Sequence, residues 1–436
     1  MKTWITHIWS RLRTSFWFVP GGLVVLSILL AYGTIEIDRR EWSGVLLGGL
    51  PLSGVSADGV RSLLSTVATS VLTLAGLTFS GTLVALTLAS SQFGGRILRN
   101  FIRALPNQFT IGMLLGNFTF CLIVLRSVRS VEEGEFIPHL ATLSAFVATL
   151  VSLGAFIHFI HHIAVSLQAD RVVADIHVEL DRALCAFFPD ERPSDPDERK
   201  AGEEKDDWEE MEDEQAVRSR RSGYIQAVSV EGLLGECAER DLRCRVLLHP
   251  GQFVHEGEPI LAIDAEGGPD EKDASELRSH VIIGRMRTGE QDFEFCLRQL
   301  VEVALRALSP GINDPFTAMN CIDYLGAALI KVAGRRLPRR IHRDREGTPR
   351  VLTRPTVFAD LLDAAFNQIL QTAGGRPDIA LRLLARLADI HRAAMLDAHL
   401  EAVRGHAEAV RMRGLENASE RDREALEARF RRFEEG

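Results

Sequence analysis

Apolar and polar positions divide this chain into two unlike parts. Residues 1–165 contain four long apolar stretches, whereas charged residues are frequent along the rest of the chain. Since about 20 apolar residues cross the hydrocarbon core of a bilayer, each stretch predicts a transmembrane helix. The predicted spans cover residues 14–35, 63–90, 107–125 and 136–160.

The first apolar stretch has a second interpretation, a secretory signal peptide. Its 22 uncharged residues between Arg13 and Glu36 exceed a typical signal core, and no clean small-residue cleavage site follows. An uncleaved span is therefore predicted. Lys and Arg residues near the span ends show a slight bias that favours a cytoplasmic N-terminus. Four spans then place the C-terminal half in the cytoplasm as well.

The second apolar stretch carries a polar face. No residue from Ser62 to Gly95 is charged. Eight positions along it step by alternating fours and threes, so they share one side of a helix. Leu77 and Val84 are two of them, and the other six carry hydroxyl groups: Thr66, Ser70, Thr73, Ser80, Thr87 and Ser91.

Two interpretations of this hydroxyl stripe stay open. Small and hydroxyl residues let membrane helices pack closely, which is the commoner use of such residues. Alternatively, the stripe lines a water-filled path. Packing is also indicated by Gly112-x-x-x-Gly116 in the third span. Because no Asp, Glu, Lys or Arg lies inside a predicted span, a proton pump or secondary transporter is disfavoured, while a passive pore is not.

A candidate cytoplasmic mouth follows from the residues at the span ends. Gln92 and Arg96 follow the second span, and His158, His161 and His162 close the fourth. His158 and His162 share a helix face, a spacing that suits metal binding or pH sensing. Hydrogen bonding at the depth of the lipid headgroups is the simpler interpretation. No metal site and no cofactor are predicted.

The second half of the chain predicts a cytoplasmic α+β domain. Residues 166–188 form a helical connector and residues 189–219 an acidic disordered linker. Short β-branched runs with Pro-Gly turns predict a small β-sandwich over 220–268. Helical periodicity continues over 269–404, and a charged helix occupies 405–436. The predicted fold is thus mainly α: four transmembrane helices followed by a small sandwich plus helices.

A conspicuous loop, "RALSPGINDPFTA", interrupts the helical region. Pro310 and Gly311 stop one helix, whereas Asp314 as N-cap and Pro315 at the first helical position start the next. Local capping explains these four residues well and Ser309 and Asn313 less well. An anion or carbonyl site at the second helix's N-terminus is the functional alternative, although Asp314 would repel an anion.

Charge and cysteine content narrow the partners and the compartment. A net charge of −9 gives no indication of nucleic-acid binding. Six cysteines without C-x-x-C pairs predict free thiols in a reducing compartment. The strongly basic segment from Arg335 to Arg350 is either a solvated loop or a contact with anionic lipid headgroups.

Several motifs together resemble one protein family. They read "LASSQFGGRILRNF", "LLGNFTFCLIVLRSV", "FIHHIAVSLQAD" and "RALSPGINDPFTAMNCID". Over most of its length the chain is similar to the predicted bacterial membrane proteins known as domain of unknown function 2254. The resemblance implies four spans and a cytoplasmic domain, and it supplies no activity. One departure is Gly94-Gly95, where the family commonly has Ser-Pro, which makes the end of the second helix more flexible.

Two functional hypotheses follow. In the first, the protein is an oligomeric channel or permeation protein of the bacterial inner membrane, with a cytoplasmic regulatory domain and both termini in the cytoplasm. In the second, it is a membrane-anchored sensor or scaffold that binds partners through its cytoplasmic domain. No nucleophile motif, P-loop, HExxH or dinucleotide fingerprint occurs, so an enzyme is ranked last.

Overall fold

Two compact units make up the part of the chain that the computed structural model describes. The described residues are 17–40, 56–93, 105–129, 136–166, 168–188, 214–264, 270–416 and 418–435. The first unit covers Met1–Arg171 and the second covers Val172–Gly436. The chain is mainly helical with a later α+β region, which confirms the predicted fold class at that level.

Four helices coincide with the four apolar stretches of the sequence. They are α1 (Phe18–Arg39), α2 (Ala57–Phe93), α3 (Leu105–Ser127) and α4 (His139–Ser166). Helix α3 packs against each of the other three. Its most apolar window is 56% buried, compared with 17–28% for α1, α2 and α4. Helix α3 is therefore the centre of the first unit.

Two glycines allow α1 to approach this central helix closely. A Cβ on Gly112 would lie 2.7 Å from Leu23 Cδ1 and 2.8 Å from the Cα of Pro20. A Cβ on Gly116 would lie 2.5 Å from Ser27 Oγ. Such distances leave no room for any side chain at either position. The contact follows the small-xxx-small pattern by which membrane helices associate through van der Waals packing.

A carboxylate fixes the start of α4. Asp38, which is 7% exposed near the end of α1, accepts hydrogen bonds from the N–H groups of Leu140 and Ala141, both at 3.0 Å. A negative charge at a helix N-terminus is favoured by the helix dipole. At the same end of the unit, Arg61 of α2 donates to the carbonyl of Val128 just after α3 (3.1 Å). Consecutive helices therefore run in opposite directions.

The second unit contains the remaining elements. Its β region and the helices within it are β1 (Glu214–Arg218), β2 (Gly223–Val228), α6 (Val230–Glu239), β3 (Arg243–Val246), β4 (Phe253–Val254), β5 (Pro259–Asp264), α7 (Glu271–Ser279), β6 (Val281–Gly284), β7 (Ile341–Arg343) and β8 (Pro349–Leu352). Its other helices are α5 (Ala169–Phe187), α8 (Phe293–Ala307), α9 (Pro315–Ala333), α10 (Phe358–Leu362), α11 (Gln368–Ala373), α12 (Pro377–Ala393), α13 (Asp397–Leu415) and α14 (Glu420–Glu435). Helix α5 begins three residues before the unit, and α10 continues through a π-helical turn at Asp363–Asn367 into α11.

The strands form two sheets around one apolar core. The five-stranded sheet has the order β1-β5-β3-β8-β7, and the three-stranded sheet has the order β4-β2-β6. Val217 and Ile263 from the first sheet and Ile225 and Ile283 from the second belong to the same buried cluster. This architecture differs in extent from the predicted sandwich, because β1 begins inside the predicted linker and three strands follow residue 268.

Strands β7 and β8 come from the basic segment, where charge conceals the strand pattern. Val351 is fully buried and Ile341 is 7% exposed, so both contribute apolar groups to the interior. Arg350 lies between them in the hairpin and pairs with Asp344 (2.8 Å) and Asp241 (2.6 Å). These ion pairs let a basic sequence close the edge of a sheet.

Helix α9 is the central helix of the helical region and packs against α8 and α12. By length and composition it is also a fifth helix able to cross a membrane, among the described residues. Two charged side chains interrupt its surface. Asp323 lies 3.6 Å from both Arg382 and Arg386 of α12, and Lys331 pairs with Asp181 of α5.

The C-terminal residues form two helices where the sequence indicated one. Helix α13 ends at Leu415, and α14 folds back against α12 and α13. Arg411 of α13 donates to both carboxylate oxygens of Glu427, with distances of 2.9–3.1 Å. Phe430 and Phe433 are buried despite the charged sequence around them. The sequence between the two helices contains no long apolar residue that would mark the break, so periodicity alone did not locate it.

Replacing Gly116 by Val tests the close α1–α3 contact. We expect the free energy of unfolding in detergent micelles to fall by about 1–3 kcal/mol, because the added carbons overlap Ser27. Gly33→Val is the matched control, since a Cβ on Gly33 has no neighbour within 4 Å. Equal melting curves for the two variants would contradict the contact.

Candidate functional site

Helix α2 packs inside the first unit through one face only. Its buried residues step by fours and threes: Val60, Leu64, Ala68, Val71, Ala75, Thr78, Thr82, Ala85 and Ala89. The predicted hydroxyl stripe lies on the opposite side of the helix. Thr66, Ser70, Thr73, Leu77, Ser80, Val84, Thr87 and Ser91 are all exposed. Close packing within this unit therefore uses alanines, three larger aliphatic residues and two buried threonines, and leaves the stripe outside.

Five of the six hydroxyl groups of the stripe bond to carbonyls of their own helix. Thr66, Ser70 and Thr73 each donate to the carbonyl four residues earlier, at 2.8–2.9 Å. Thr87 does the same at 2.9 Å. Since a hydroxyl has one hydrogen and two lone pairs, the outward-facing atom is an acceptor oxygen. The stripe extends over 25 residue steps, about 37 Å, which exceeds the hydrocarbon thickness of about 30 Å.

The residues predicted to form a cytoplasmic mouth are only partly described. Gln92 is exposed in the last turn of α2, whereas Arg96 lies outside the described residues. His158 and His162 lie one turn apart on α4 with ring centroids 6.3 Å apart and planes inclined at 42°, and His161 is exposed beside them. In the described part of the chain, no group of three or more His, Cys, Asp or Glu residues is arranged to hold a metal ion.

Sequence reasoning did not predict two cavities between α1, α3 and α4. The larger measures about 770 Å³ and extends to His158; the smaller, of about 270 Å³, adjoins it at Met113. Asn117 lines the smaller cavity and donates to Thr149 Oγ1 at 3.2 Å. Small residues of α4, including Gly154, are the only signal in the sequence, and small residues are too common in membrane helices to predict a cavity.

The loop Ser309–Asp314 between α8 and α9, called the signature loop below, is stabilised by hydrogen bonds to or from each of its polar side chains. Ser309 Oγ donates to the carbonyl of Arg306 at 2.6 Å. Asp314 accepts from the amide and the hydroxyl of Thr317, at 3.1 and 2.5 Å, as the predicted N-cap. Pro315 occupies the first turn of α9, and the exposed Gly311 lies in the preceding turn. Pro310 beside it is exposed as well.

Asn313 has a role that the sequence left open. Its backbone is left-handed, with φ of +48°, and its Oδ1 accepts a hydrogen bond from Arg376 Nη1 at 2.9 Å. Arg376 is the N-cap residue of α12, so this bond joins the loop to a third helix. Asn tolerates the left-handed region better than most residues. The loop therefore positions three helices, which accounts for Ser309 and Asn313 structurally.

The basic segment is more structured than a solvated loop. The hydrogen bond from Arg350 holds the pKa of Asp344 below its ordinary value. Arg335 Nη1 donates to the carbonyl of Phe188 at 3.0 Å. Arg339, Arg343 and Arg345 are exposed. Both ends of the segment thus have internal partners, and its middle presents positive charge to the outside.

Substitutions at Asn313 separate its two contributions to stability. Asn313→Gly keeps the left-handed backbone and loses the bond to Arg376, whereas Asn313→Ala also strains the backbone. We expect the free energy of unfolding to decrease in the order Asn, Gly, Ala, with about 1 kcal/mol between the last two.

Arg376→Ala provides the control for that series. Combined with Asn313→Gly, it should cost less than the sum of the two single changes, because both remove the same bond. Thermal unfolding of the full-length protein in detergent measures each step. Additive losses, or an alanine variant as stable as the glycine variant, would contradict the assigned roles.

Comparison with known proteins agrees with this architecture. The family described as predicted membrane protein, domain of unknown function 2254, matches residues 13–389. Uncharacterised proteins of Mycobacterium bovis and Mycobacterium tuberculosis are 30% identical over 388 residues, which cover 88% of this chain and 73% of theirs. No solved structure matches the chain. The chain belongs to the family of predicted membrane proteins designated domain of unknown function 2254.

Proposed function

We propose that this protein forms an oligomeric pore in the bacterial inner membrane, with α2 of each copy contributing one side of the pathway. The observation that supports this proposal is the exposed hydroxyl stripe from Thr66 to Ser91. It lies opposite the face that α2 uses for packing, and it is longer than a bilayer core is thick. One helix face encloses no path, so several copies are required.

The chemistry of the stripe suits water and weakly bound ions. Acceptor oxygens replace part of an ion's hydration shell, while the absence of charge from Ser62 to Phe93 avoids tight binding. Conduction needs sites weak enough for an ion to leave. The protein is accordingly proposed to be a passive permeation pathway and not a pump.

The topology that we propose has four spans. Helix α9 is excluded because it is the packed centre of the helical region and its Asp323 and Lys331 pair with neighbouring helices there. Four antiparallel helices then put both ends of the first unit on one side of the membrane. The charge bias near the spans favours the cytoplasm for that side.

A regulatory role for the second unit is proposed from the position of α5. This helix begins at Ala169, three residues after α4 ends. It is fixed to α9 by the Asp181–Lys331 pair and by His177 against Tyr324, with ring centroids 4.5 Å apart. Phe188, which directly follows it, contacts Phe293 of α8. Movement of α4 would therefore act on the helical region through α5. Arg339, Arg343 and Arg345 remain the proposed contacts with anionic headgroups.

Accessibility of introduced cysteines tests the pathway. In a Cys185→Ser background, which removes the exposed native thiol, Ser80→Cys in liposomes should react with a charged, water-soluble thiol reagent. We expect modification about tenfold faster than for Leu83→Cys, which is exposed on another side of α2, because thiol reactivity requires the hydrated thiolate. Modification should also reduce ion flux into the liposomes.

Two outcomes would count against the pore. Equal, slow modification at both positions would place the stripe in lipid or in a dry interface. Absence of flux across common cations and anions, with Ser80→Cys pairs forming disulfides between copies, would instead favour the alternative function. In that case the protein is an oligomeric membrane-anchored sensor or scaffold, and its second unit should recover a stable partner from solubilised membranes.

A further inference from the structure

The larger cavity in the first unit is an apolar groove inside a membrane-spanning region. Val19 of α1, Phe109 and Met113 of α3, and Val151, Gly154 and His158 of α4 are among the residues that line it. His158 is the one titratable side chain among these lining residues, and it lies at one end. The groove measures about 770 Å³, and an apolar group that fills it regains van der Waals contacts with the side chains that line it.

The groove is closed at the other end. Helices α1 and α4 meet where Asp38 accepts hydrogen bonds from Leu140 and Ala141. The smaller cavity, of about 270 Å³, lies between the helices next to this contact. The larger cavity, of about 770 Å³, lies farther away, toward His158. The two helices thus form a wedge over α3 that opens toward His158. An occupant enters from that side.

The apolar part of the wedge matches the depth of a single leaflet. It follows α3 from Leu105 to Met113, about 12 Å along the helix, compared with about 15 Å for half of the hydrocarbon core. Beyond Met113 the space narrows to about 270 Å³, and the polar side chains of Asn117, Ser27 and Ser152 join apolar ones in its lining. An apolar occupant therefore stops close to the middle of the bilayer.

We infer that one acyl chain of a membrane phospholipid occupies this wedge, entering from the leaflet on the His158 side with its headgroup beside His158. A transmembrane helix of a second copy does not fit, because it would have to cross the closed end at Asp38. A lipid chain spans only its own leaflet and needs no hydrogen-bonding partners in the cavity. The inference does not depend on the proposed pore.

Photocrosslinking of the full-length protein tests this site. The protein is reconstituted in vesicles of phosphatidylethanolamine and phosphatidylglycerol that contain a phosphatidylcholine probe with a diazirine in one acyl chain. After irradiation, peptides are mapped by mass spectrometry. Adducts should concentrate on α3 and α4 around Met113 and Val151. Leu29, which is 64% exposed on α1 and lines neither cavity, reports labelling by bulk lipid.

Gly154→Phe fills the wedge from α4. A Cβ on Gly154 has no neighbour within 4 Å, so the ring enters the cavity without forcing the backbone. We expect labelling at Met113 to fall about tenfold, because excluding two or more methylene groups of the chain weakens binding by at least that factor. Gly33→Phe is the matched control, an exposed helical glycine that is equally unobstructed and lies outside both cavities, and it should leave labelling unchanged.

Val151→Trp, at the exposed rim of the wedge, is a second blocking variant for the case in which Gly154→Phe does not fold. Labelling spread evenly over Leu29 and the wedge residues would overturn the inference, as would undiminished labelling in a folded blocking variant. Adducts that join two protein copies through the wedge residues would show a protein occupant, which also overturns it.

Discussion

Helices in a bilayer gain nothing from the hydrophobic effect by associating, so the first unit depends on the close approach of α1 to α3 at Gly112 and Gly116. A Cβ atom added to either glycine would lie only 2.5–2.8 Å from atoms of Pro20, Leu23 or Ser27. Even alanine therefore does not fit at these positions unless α1 shifts. This contact makes α3 the central helix. Helices α2 and α4 then pack on its remaining sides.

The two candidate sites follow from that arrangement. Because α2 binds α3 through its alanine-rich face, its hydroxyl stripe points away from the unit. Because α1 packs closely on α3 and is hydrogen-bonded to the start of α4 through Asp38, the cavities between α1 and α4 lie away from that contact. Different helices carry the proposed pathway and the proposed lipid site, so substitutions in Ser80 and Gly154 act on separate properties of the same protein.

The spacing of apolar and polar residues predicted the features that depend only on positions close together in the sequence. The four apolar helices, the Asp314 cap and the shared side of the hydroxyl stripe were all readable from spacing. Which direction that side faces depends on the packing of α2 against α3, a contact between residues distant in sequence. Strands β7 and β8 were missed because Arg350 is neutralised by Asp344 and Asp241, one of them distant in sequence. The role of Asn313 depends on Arg376, 63 residues away.

The structure of the assembly in a lipid nanodisc, determined by electron cryomicroscopy, tests the central claim most directly. The account predicts several copies around one axis, with the face from Thr66 to Ser91 of each α2 lining a continuous hydrated path. A monomer, or a ring in which that face contacts lipid or is packed against protein without water, would contradict it.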